Sequence, residues 1–319
     1  MDPEDFPTPD VEVDELEPQT LKQRIDDGES VTILDARMES DFEEWHIEGD
    51  SVDIVNVPYF HFLDEDLDED ILDDVPEGDP LVVLCAKGGA SEYVAGKLAE
   101  NGHDVVHLHE GMNGWASIYE RTEVTRYDGP GDLYQYQRPS SGCLGYLLVS
   151  VGEAAVIDPL RAFTDRYLDD AAELGAELTY AFDTHIHADH ISGVRELDEH
   201  GVTGVIPEAA RQRGVTYIDD LESATDGDAY DVGGATVETI HTPGHTSGMT
   251  SYLVGDSLLA TGDGLFVESV ARPDLEEGDE GAPDAARQLY ETLQTKVLTL
   301  DDDVLVGGAH FSDAAEPAE

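Results

Sequence analysis

The stretch Thr184-His185-Ile186-His187-Ala188-Asp189-His190 brings three imidazoles and one carboxylate close together in the chain. Two later segments carry groups of the same kind: His241-Thr242-Pro243-Gly244-His245-Thr246 and Thr261-Gly262-Asp263-Gly264. Imidazoles and carboxylates that arrive from separate strand-ending loops are the ligands that a divalent transition metal needs in a cleft. A single HxH pair would be weak evidence, because lone histidines are more often surface or core residues. Three such segments in this order predict a metal centre.

These three segments resemble the metallo-β-lactamase superfamily, which includes glyoxalase II and the persulfide dioxygenases. The resemblance covers roughly residues 130 to 319. It implies an αβ/βα sandwich whose metal site lies along one edge. It does not fix the reaction, because one fold serves many chemistries.

The resemblance implies two different ligand sets, one for each of two chemistries. A zinc hydrolase of this superfamily holds two Zn(II) ions, with Asp263 bridging them. Its other ligands are His185, His187 and His245 for one ion, and Asp189, His190 and His310 for the second. A persulfide dioxygenase instead holds one Fe(II) through His185, His245 and Asp263. The remaining four groups then orient these ligands: His187, Asp189, His190 and His310.

Three features favour the single iron. The segment from Gly264 to Leu275 resembles the one that follows the aspartate ligand in persulfide dioxygenases, with Ala271 in place of the glycine of a GRxD element. The chain after Asp263 is shorter than the helical substrate domain of glyoxalase II requires. The third feature is the N-terminal half, where the loop of Cys85, Gly88, Gly89 and Ser91 resembles one that carries persulfide sulfur. Arg272, one of few cations in this chain, is the candidate for binding a carboxylate on the thiol carrier, and its alternative role is a structural salt bridge.

A second site is predicted upstream, at Cys85. The apolar run Leu81-Val82-Val83-Leu84 indicates a buried strand, and a helix is expected from Ser91. A cysteine between a strand end and a helix N-terminus lies among unpaired backbone N–H groups, which stabilise a negatively charged sulfur. Glycines at positions 88 and 89 let the loop curl around it. The alternative is an inert buried cysteine, which is the commoner fate of this residue.

This region resembles a rhodanese domain over roughly residues 15 to 127. The resemblance implies that Cys85 carries sulfur as a persulfide in a loop that includes Lys87, Gly88, Gly89 and Ser91. Many rhodanese loops have an arginine immediately before the serine, and here that position is Ala90. Lys87 is then the only fixed charge in the loop, which favours a persulfide over thiosulfate as the sulfur donor.

The composition is strongly acidic, with 16 basic and 73 acidic residues and a formal net charge of −57. Such a surface repels itself in dilute buffer, but at molar salt the Debye length falls to roughly 3 Å and the repulsion is screened. We therefore expect a protein from a salt-rich cytoplasm that loses its structure below about molar salt. The alternative is an acidic surface that binds a basic partner.

Several classes of function are disfavoured by the sequence. There is no basic patch to neutralise phosphates, which argues against nucleic acid. No apolar run approaches the length of a membrane helix and no signal peptide is recognisable, so a soluble, cytoplasmic protein is expected. Cys85 and Cys143 are the only cysteines, which excludes a disulfide framework, and Cys143 is expected to pack in the core.

The predicted architecture is α/β with two domains. Residues 1–17 are expected to form a flexible acidic lead-in, 18–127 a rhodanese-like parallel α/β domain, and 132–319 a metallo-β-lactamase-like αβ/βα sandwich. The turn formers Asp128-Gly129-Pro130-Gly131 suggest the boundary between the two domains.

The leading functional hypothesis is a sulfur enzyme that oxidises a low-molecular-weight thiol persulfide with O₂ to sulfite and thiol. One Fe(II) per chain is its cofactor, and sulfur transfer through a Cys85 persulfide is coupled to it. The alternative is a dinuclear zinc thioesterase with an attached rhodanese domain, and a third hypothesis makes that domain a binding module. The expected partners are the small-molecule persulfide and O₂. The sequence is also compatible with a homo-oligomer, and it leaves the thiol carrier open.

Overall fold

A five-stranded parallel sheet forms the centre of the N-terminal half of the chain. The computed structural model describes residues 11–64, 67, 69–187, 191–216, 221–267, 269–274, 276 and 278–311. The chain divides into two units, Met1–Ile118 and Tyr119–Glu319. In the first unit the strand order is β1-β5-β4-β2-β3. These strands are β1 Glu15–Leu16, β2 Val31–Asp35, β3 Val52–Asn56, β4 Leu81–Leu84 and β5 Val105–Leu108.

Helices cover both faces of this sheet. They are α1 Pro18–Asp26, α2 Glu39–Glu44, α3 Glu69–Asp74, α4 Gly89–Glu100 and α5 Gly111–Ala116. Successive residues of β4 point to opposite faces, so Val83 packs with α4 while Val82 packs with α1 and α5. A strand that is buried on both sides must be apolar throughout, which explains the continuous run of β4.

Two sheets form the second unit. The larger has the order β12-β11-β10-β9-β8-β7-β6 and the smaller β13-β14-β15-β16-β17. The larger sheet contains β6 Glu120–Glu123, β7 Asp132–Arg138, β8 Cys143–Ser150, β9 Glu153–Ile157, β10 Glu177–Phe182, β11 Thr203–Pro207 and β12 Glu222–Ala224. The smaller contains β13 Ala229–Val232, β14 Ala235–His241, β15 Thr250–Val254, β16 Leu258–Gly262 and β17 Leu305–Gly308.

The two sheets pack face to face through one apolar core. Leu148 and Phe182 contribute to it from the larger sheet, and Tyr252 and Val254 from the smaller. A second core lies on the other face of the larger sheet, under α6 Thr164–Glu173 and α7 Val194–Glu199. A third, small cluster covers the smaller sheet near the end of α8 Gly278–Thr292. The predicted fold, a parallel α/β domain followed by an αβ/βα sandwich, is confirmed.

The division between the units falls earlier than the sequence suggested. Strand β6 pairs antiparallel with β7, so residues 120–123 belong to the sheet of the second unit. The turn at Asp128–Gly131 connects these two paired strands and lies inside the second unit. The end of the expected lead-in is also ordered, because Glu15 and Leu16 pair with β5. Among the described residues, no helix is long and apolar enough to cross a membrane.

Candidate functional site

The loops that follow several strands of the sandwich meet at one edge. His185 follows β10, His245 follows β14 and Asp263 follows β16 directly. The Thr250 N–H donates to the Thr184 carbonyl over 2.9 Å, which ties the loop after β10 to the first residue of β15 in the smaller sheet. The edge therefore collects donors from both sheets of the second unit.

Three of the predicted ligands lie together at this edge. One donor atom from each of His185, His245 and Asp263 lies within 4.8 Å of the other two. The Asp263 Oδ2 atom is 3.7 Å from His185 Nε2 and 3.8 Å from His245 Nε2. Because each bond from a metal to nitrogen or oxygen is about 2.1 Å, donors that share an ion lie roughly 3 Å apart. A small movement of these side chains brings all three onto one ion.

The protonation states of this trio suit a divalent cation. Burial, with a further contribution from His187, lowers the pKa of His185 to about 3, which keeps its imidazole neutral. Burial alone would raise the pKa of Asp263, but its hydrogen bond with His310 and the neighbouring imidazoles lower it overall. Metal ligands must be deprotonated. Two imidazoles and a carboxylate therefore fit a first-row transition metal.

His187 belongs to a different cluster. Its Nε2 atom is 3.2 Å from Asp158 Oδ1 and 3.7 Å from Asp183 Oδ1, and its side chain is 1% exposed. A carboxylate only accepts hydrogen bonds, so Nε2 must carry the proton in this arrangement. A protonated ring nitrogen has no lone pair for a metal, so the lone pair of a neutral His187 ring lies on Nδ1. The Nε2 atom of His187 thus contacts carboxylates outside the trio, while its ring lies 4.1 Å from the ring of His185.

Asp158 also orients His185 through Thr184. The Thr184 N–H donates to Asp158 over 2.7 Å, and the Thr184 hydroxyl donates to the same carboxylate over 2.9 Å. That hydroxyl lies 3.0 Å from His185 Nδ1 and, having donated its own proton, accepts the Nδ1–H. The lone pair of His185 is then on Nε2, which faces Asp263. Such outer partners fix the tautomer of a metal-binding histidine.

Sequence patterns pointed to no role for Asp158 or Asp183, although each follows the end of a buried strand. Asp158 comes directly after β9, and Asp183 comes after β10 and just before Thr184. Both are 2% exposed. An acidic residue at the buried end of a strand, next to an HxH segment, is the signal that would have found them.

The other residues predicted for this site are His310, Asp189, His190 and Arg272. His310 Nδ1 is 2.6 Å from Asp263 Oδ1, on the carboxylate oxygen that faces away from the two imidazoles. Asp189 and His190 lie outside the described residues. Arg272 pairs with Asp274 at 2.6 Å and its side chain is 72% exposed, as in the salt-bridge alternative. Its role in binding substrate stays a prediction.

In the first unit, Cys85 lies at the end of β4 and is 5% exposed. The Gly88 N–H donates to its sulfur over 3.2 Å. Gly88 has a φ of +96°, a conformation that favours glycine, and α4 begins at the next residue, two positions before the expected start at Ser91. The Ser91 hydroxyl donates to the Gly88 carbonyl over 2.9 Å, whereas Lys87 is exposed.

The start of α5 is hydrogen-bonded to the backbone of the loop that carries Cys85. The N–H groups of Met112 and Asn113, in the first turn of α5, donate to the carbonyls of Cys85 and Ala86 over 2.7 and 3.1 Å. A Cβ atom on Gly111 would lie 2.1 Å from the Cys85 carbonyl oxygen. Only glycine fits at that position, and the close contact lets the start of α5 fix the backbone of Cys85.

Both parts of the chain match known families. The rhodanese-like domain matches residues 17–118, and the metallo-beta-lactamase superfamily matches residues 141–310. The chain belongs to the metallo-beta-lactamase superfamily. Within that superfamily, the mitochondrial persulfide dioxygenase ETHE1 of Homo sapiens is 33% identical over 198 residues, which cover 60% of this chain and 73% of the human protein.

Two further superfamily members show the range of relatives. The hydroxyacylglutathione hydrolase of Rhizobium meliloti (strain 1021) is 31% identical over 199 residues, covering 58% of this chain and 71% of the hydrolase. The crystal structure of ETHE1 from Myxococcus xanthus superposes with a TM-score of 0.51 at 34% identity, covering 57% of this chain and 77% of that one. Proteins named as a dioxygenase and as a hydrolase are thus similar to this chain to nearly the same degree.

Proposed function

We propose that the metal centre of the second unit oxidises a low-molecular-weight thiol persulfide with O₂. The observation that carries this proposal is that donor atoms of His185, His245 and Asp263 converge, while the Nε2 atom of His187 contacts Asp158 instead. Two histidines and one carboxylate are the ligands of non-haem Fe(II) oxygenases, and they leave coordination positions open for substrate and O₂. The similarity to persulfide dioxygenases supports the same choice.

The reaction balances as RSSH + O₂ + H₂O → RSH + H₂SO₃. The terminal sulfur loses four electrons and O₂ takes them up. Fe(II), one per chain, supplies the O₂ chemistry that protein side chains lack. The side chains have other tasks: His185, His245 and Asp263 hold the metal, and Thr184 fixes the His185 ring through its contact with Nδ1. The His310 N–H holds the outer oxygen of Asp263.

We further propose that Cys85 transfers sulfur as a persulfide. Its thiolate takes the terminal sulfur of a donor persulfide and releases the donor thiolate. An acceptor thiolate, or sulfite, then removes that sulfur and restores Cys85. The Gly88 N–H that already contacts the sulfur stabilises the negative charge in both states. A product of one unit is then a substrate of the other.

The test is O₂ consumption by Fe(II)-loaded protein in molar KCl after addition of a small-thiol persulfide. We expect rapid uptake with one sulfite formed per O₂. Asp263→Ala should abolish uptake and keep sulfur transfer, whereas Cys85→Ser should keep uptake and abolish transfer. If Asp263→Ala still consumed O₂ at the wild-type rate, the assignment of the iron site would be wrong.

A zinc thioesterase is the second candidate, because hydroxyacylglutathione hydrolases are similar to this chain over much of their length. It predicts two zinc ions per chain and cleavage of a thioester without O₂. No O₂ uptake by protein with iron confirmed in place would favour it. A rhodanese unit that only binds a partner would show no Cys85-dependent sulfur transfer in the same series.

A further inference from the structure

Cys143, expected to be a packing residue, lies next to the metal centre. Its sulfur is 3.6 Å from His310 Nε2. The other ring nitrogen of His310 is 2.6 Å from Asp263 Oδ1. The two nitrogens of one imidazole therefore connect a buried thiol, 2% exposed, to a carboxylate of the trio.

Backbone pairing fixes this contact. Cys143 and His310 form an antiparallel bridge between the start of β8 and the residues after β17. The Leu144 N–H donates to the Ala309 carbonyl over 2.7 Å, and the Phe311 N–H donates to the Gly142 carbonyl over 3.0 Å. These bonds flank the Cys143–His310 pair on both sides, so the thiol is held against the ring by main-chain geometry.

The hydrogen bonds run in one direction. Asp263 as a carboxylate only accepts, so the proton of a neutral His310 ring is on Nδ1. Nε2 then presents a lone pair, which accepts the S–H of Cys143. The Ser141 hydroxyl donates in turn to the Cys143 sulfur over 3.1 Å. Four groups form a relay: Ser141, Cys143, His310 and Asp263.

We infer that Cys143 is a positioning residue for the metal centre. It holds the tautomer and orientation of His310, which keeps Asp263 Oδ1 occupied and leaves Oδ2 directed at the two imidazoles. This inference rests on the proposed function only in that the same three side chains hold the metal. Its consequence is a contribution of Cys143 to metal affinity through His310, the outer partner of Asp263, because losing the support of such a partner typically costs about 10- to 100-fold.

Packing is the competing role for this residue. Cys143 also belongs to the apolar core that contains Leu147, Val149 and Tyr167. Removing its sulfur therefore lowers the stability of the fold in either case. Two variants separate the roles. Cys143→Ser keeps a hydrogen-bond donor at the same position. Val149→Ala deletes methyl groups from the same strand and the same core. Given the rise of a strand, Val149 lies about 20 Å from Cys143.

The experiment measures Co(II) binding in molar KCl by competition with a chelator, well below the unfolding temperature. For Cys143→Ala we expect the dissociation constant to rise about tenfold or more. Cys143→Ser should stay within about threefold of wild type, since it retains a donor to His310. Val149→Ala should lower the melting temperature without changing the dissociation constant.

Three results would overturn the inference: wild-type affinity in Cys143→Ala, equal loss in Cys143→Ser, or equal loss in Val149→Ala. None of them depends on O₂ or persulfide. If Fe(II)-loaded wild type failed to oxidise a persulfide while Cys143→Ala still weakened Co(II) binding, the proposed reaction would fail and the positioning role would stand. The reverse pattern would remove the positioning role alone.

Discussion

Replacing Asp158 by Asn tests most directly how this carboxylate holds the loop that carries His185. The carboxylate is 2% exposed and accepts from the Thr184 N–H, the Thr184 hydroxyl and His187 Nε2. Asn has the same shape, and it tolerates the left-handed backbone of this position, whose φ is +54°. The substitution therefore changes the charge and one acceptor and leaves the packing and backbone nearly as they are.

The expected magnitude follows from these contacts. Burial alone would raise the pKa of Asp158, yet the hydrogen bond with His187, the nearby imidazoles of His187 and His185, and the Thr184 N–H lower it, so the contacts outweigh the cost of burial. A hydrogen bond to a charged group contributes about 1.5–3 kcal/mol. The Asn side chain has one acceptor oxygen, so it loses at least one of these hydrogen bonds and turns its NH₂ group toward a donor of Thr184 or His187. We expect the free energy of unfolding to fall by about 1.5–3 kcal/mol, the contribution of one such hydrogen bond.

The measurement is urea denaturation of metal-free protein in molar KCl. Both tryptophans, Trp45 and Trp115, lie in the first unit, so tyrosine circular dichroism is used to follow the second. Asp132→Asn, the same substitution at an exposed position of β7, is the matched control and should stay within about 0.5 kcal/mol of wild type. A loss of less than about 1 kcal/mol for Asp158→Asn would refute the account of this carboxylate as a buried acceptor.

Three further outcomes are expected. Gly262→Ala places a Cβ 2.3 Å from both Thr184 Oγ1 and Met249 Cε at a φ of +53°, so it should weaken Co(II) binding about tenfold, and unchanged affinity would contradict the role of Thr184. The folded pKa of His185, about 3, lies below its ordinary 6.5, so the unfolded chain binds more protons between these values. The free energy of unfolding of metal-free protein should therefore fall as pH drops from 6.5 toward 3, by up to about 1.4 kcal/mol per pH unit from this group, and His185→Asn should show a shallower slope. Finally, transfer from molar to about 0.1 M KCl, where the Debye length grows to roughly 10 Å, should abolish the far-ultraviolet circular dichroism of the fold, and an unchanged thermal melt would count against salt dependence.

The positions of the trio could be predicted because each ligand belongs to a short pattern at a strand end. His185 stands in an HxH segment, His245 in a Pro-Gly-His segment and Asp263 after a buried run. Strand ends that share an edge bring such segments together whatever the details of packing. Cys143 carried no comparable signal. Its contact with His310 depends on the bridge between β8 and the residues after β17, which are far apart in sequence.

The start of the second unit is hard to read from the sequence for a related reason. Strand β6, Glu120–Glu123, lies at the edge of its sheet and has the sequence ERTE, with no buried residue. An edge strand needs only one partner and no buried face, so it lacks both the apolar run and the alternation that mark a strand. The turn formers that follow it then resembled a linker, although they connect two paired strands.

The number of metal ions illustrates what residue letters leave undecided. His187 is a ligand in the hydrolase set and a supporting residue in the dioxygenase set, and the HxH segment reads the same in both. The partner of its Nε2 atom fixes the position of the ring without choosing between the two sets. Here Asp158 and Asp183 both lie within 4 Å of that atom, and both are buried carboxylates that need a donor. Asp158 also accepts from Thr184, and Asp183 accepts from the Ser192 hydroxyl. With the proton on Nε2, the lone pair of the His187 ring lies on Nδ1. The two carboxylates therefore fix the orientation of the second histidine of the motif, which is why Asp158→Asn should affect metal binding as well as the stability of the fold.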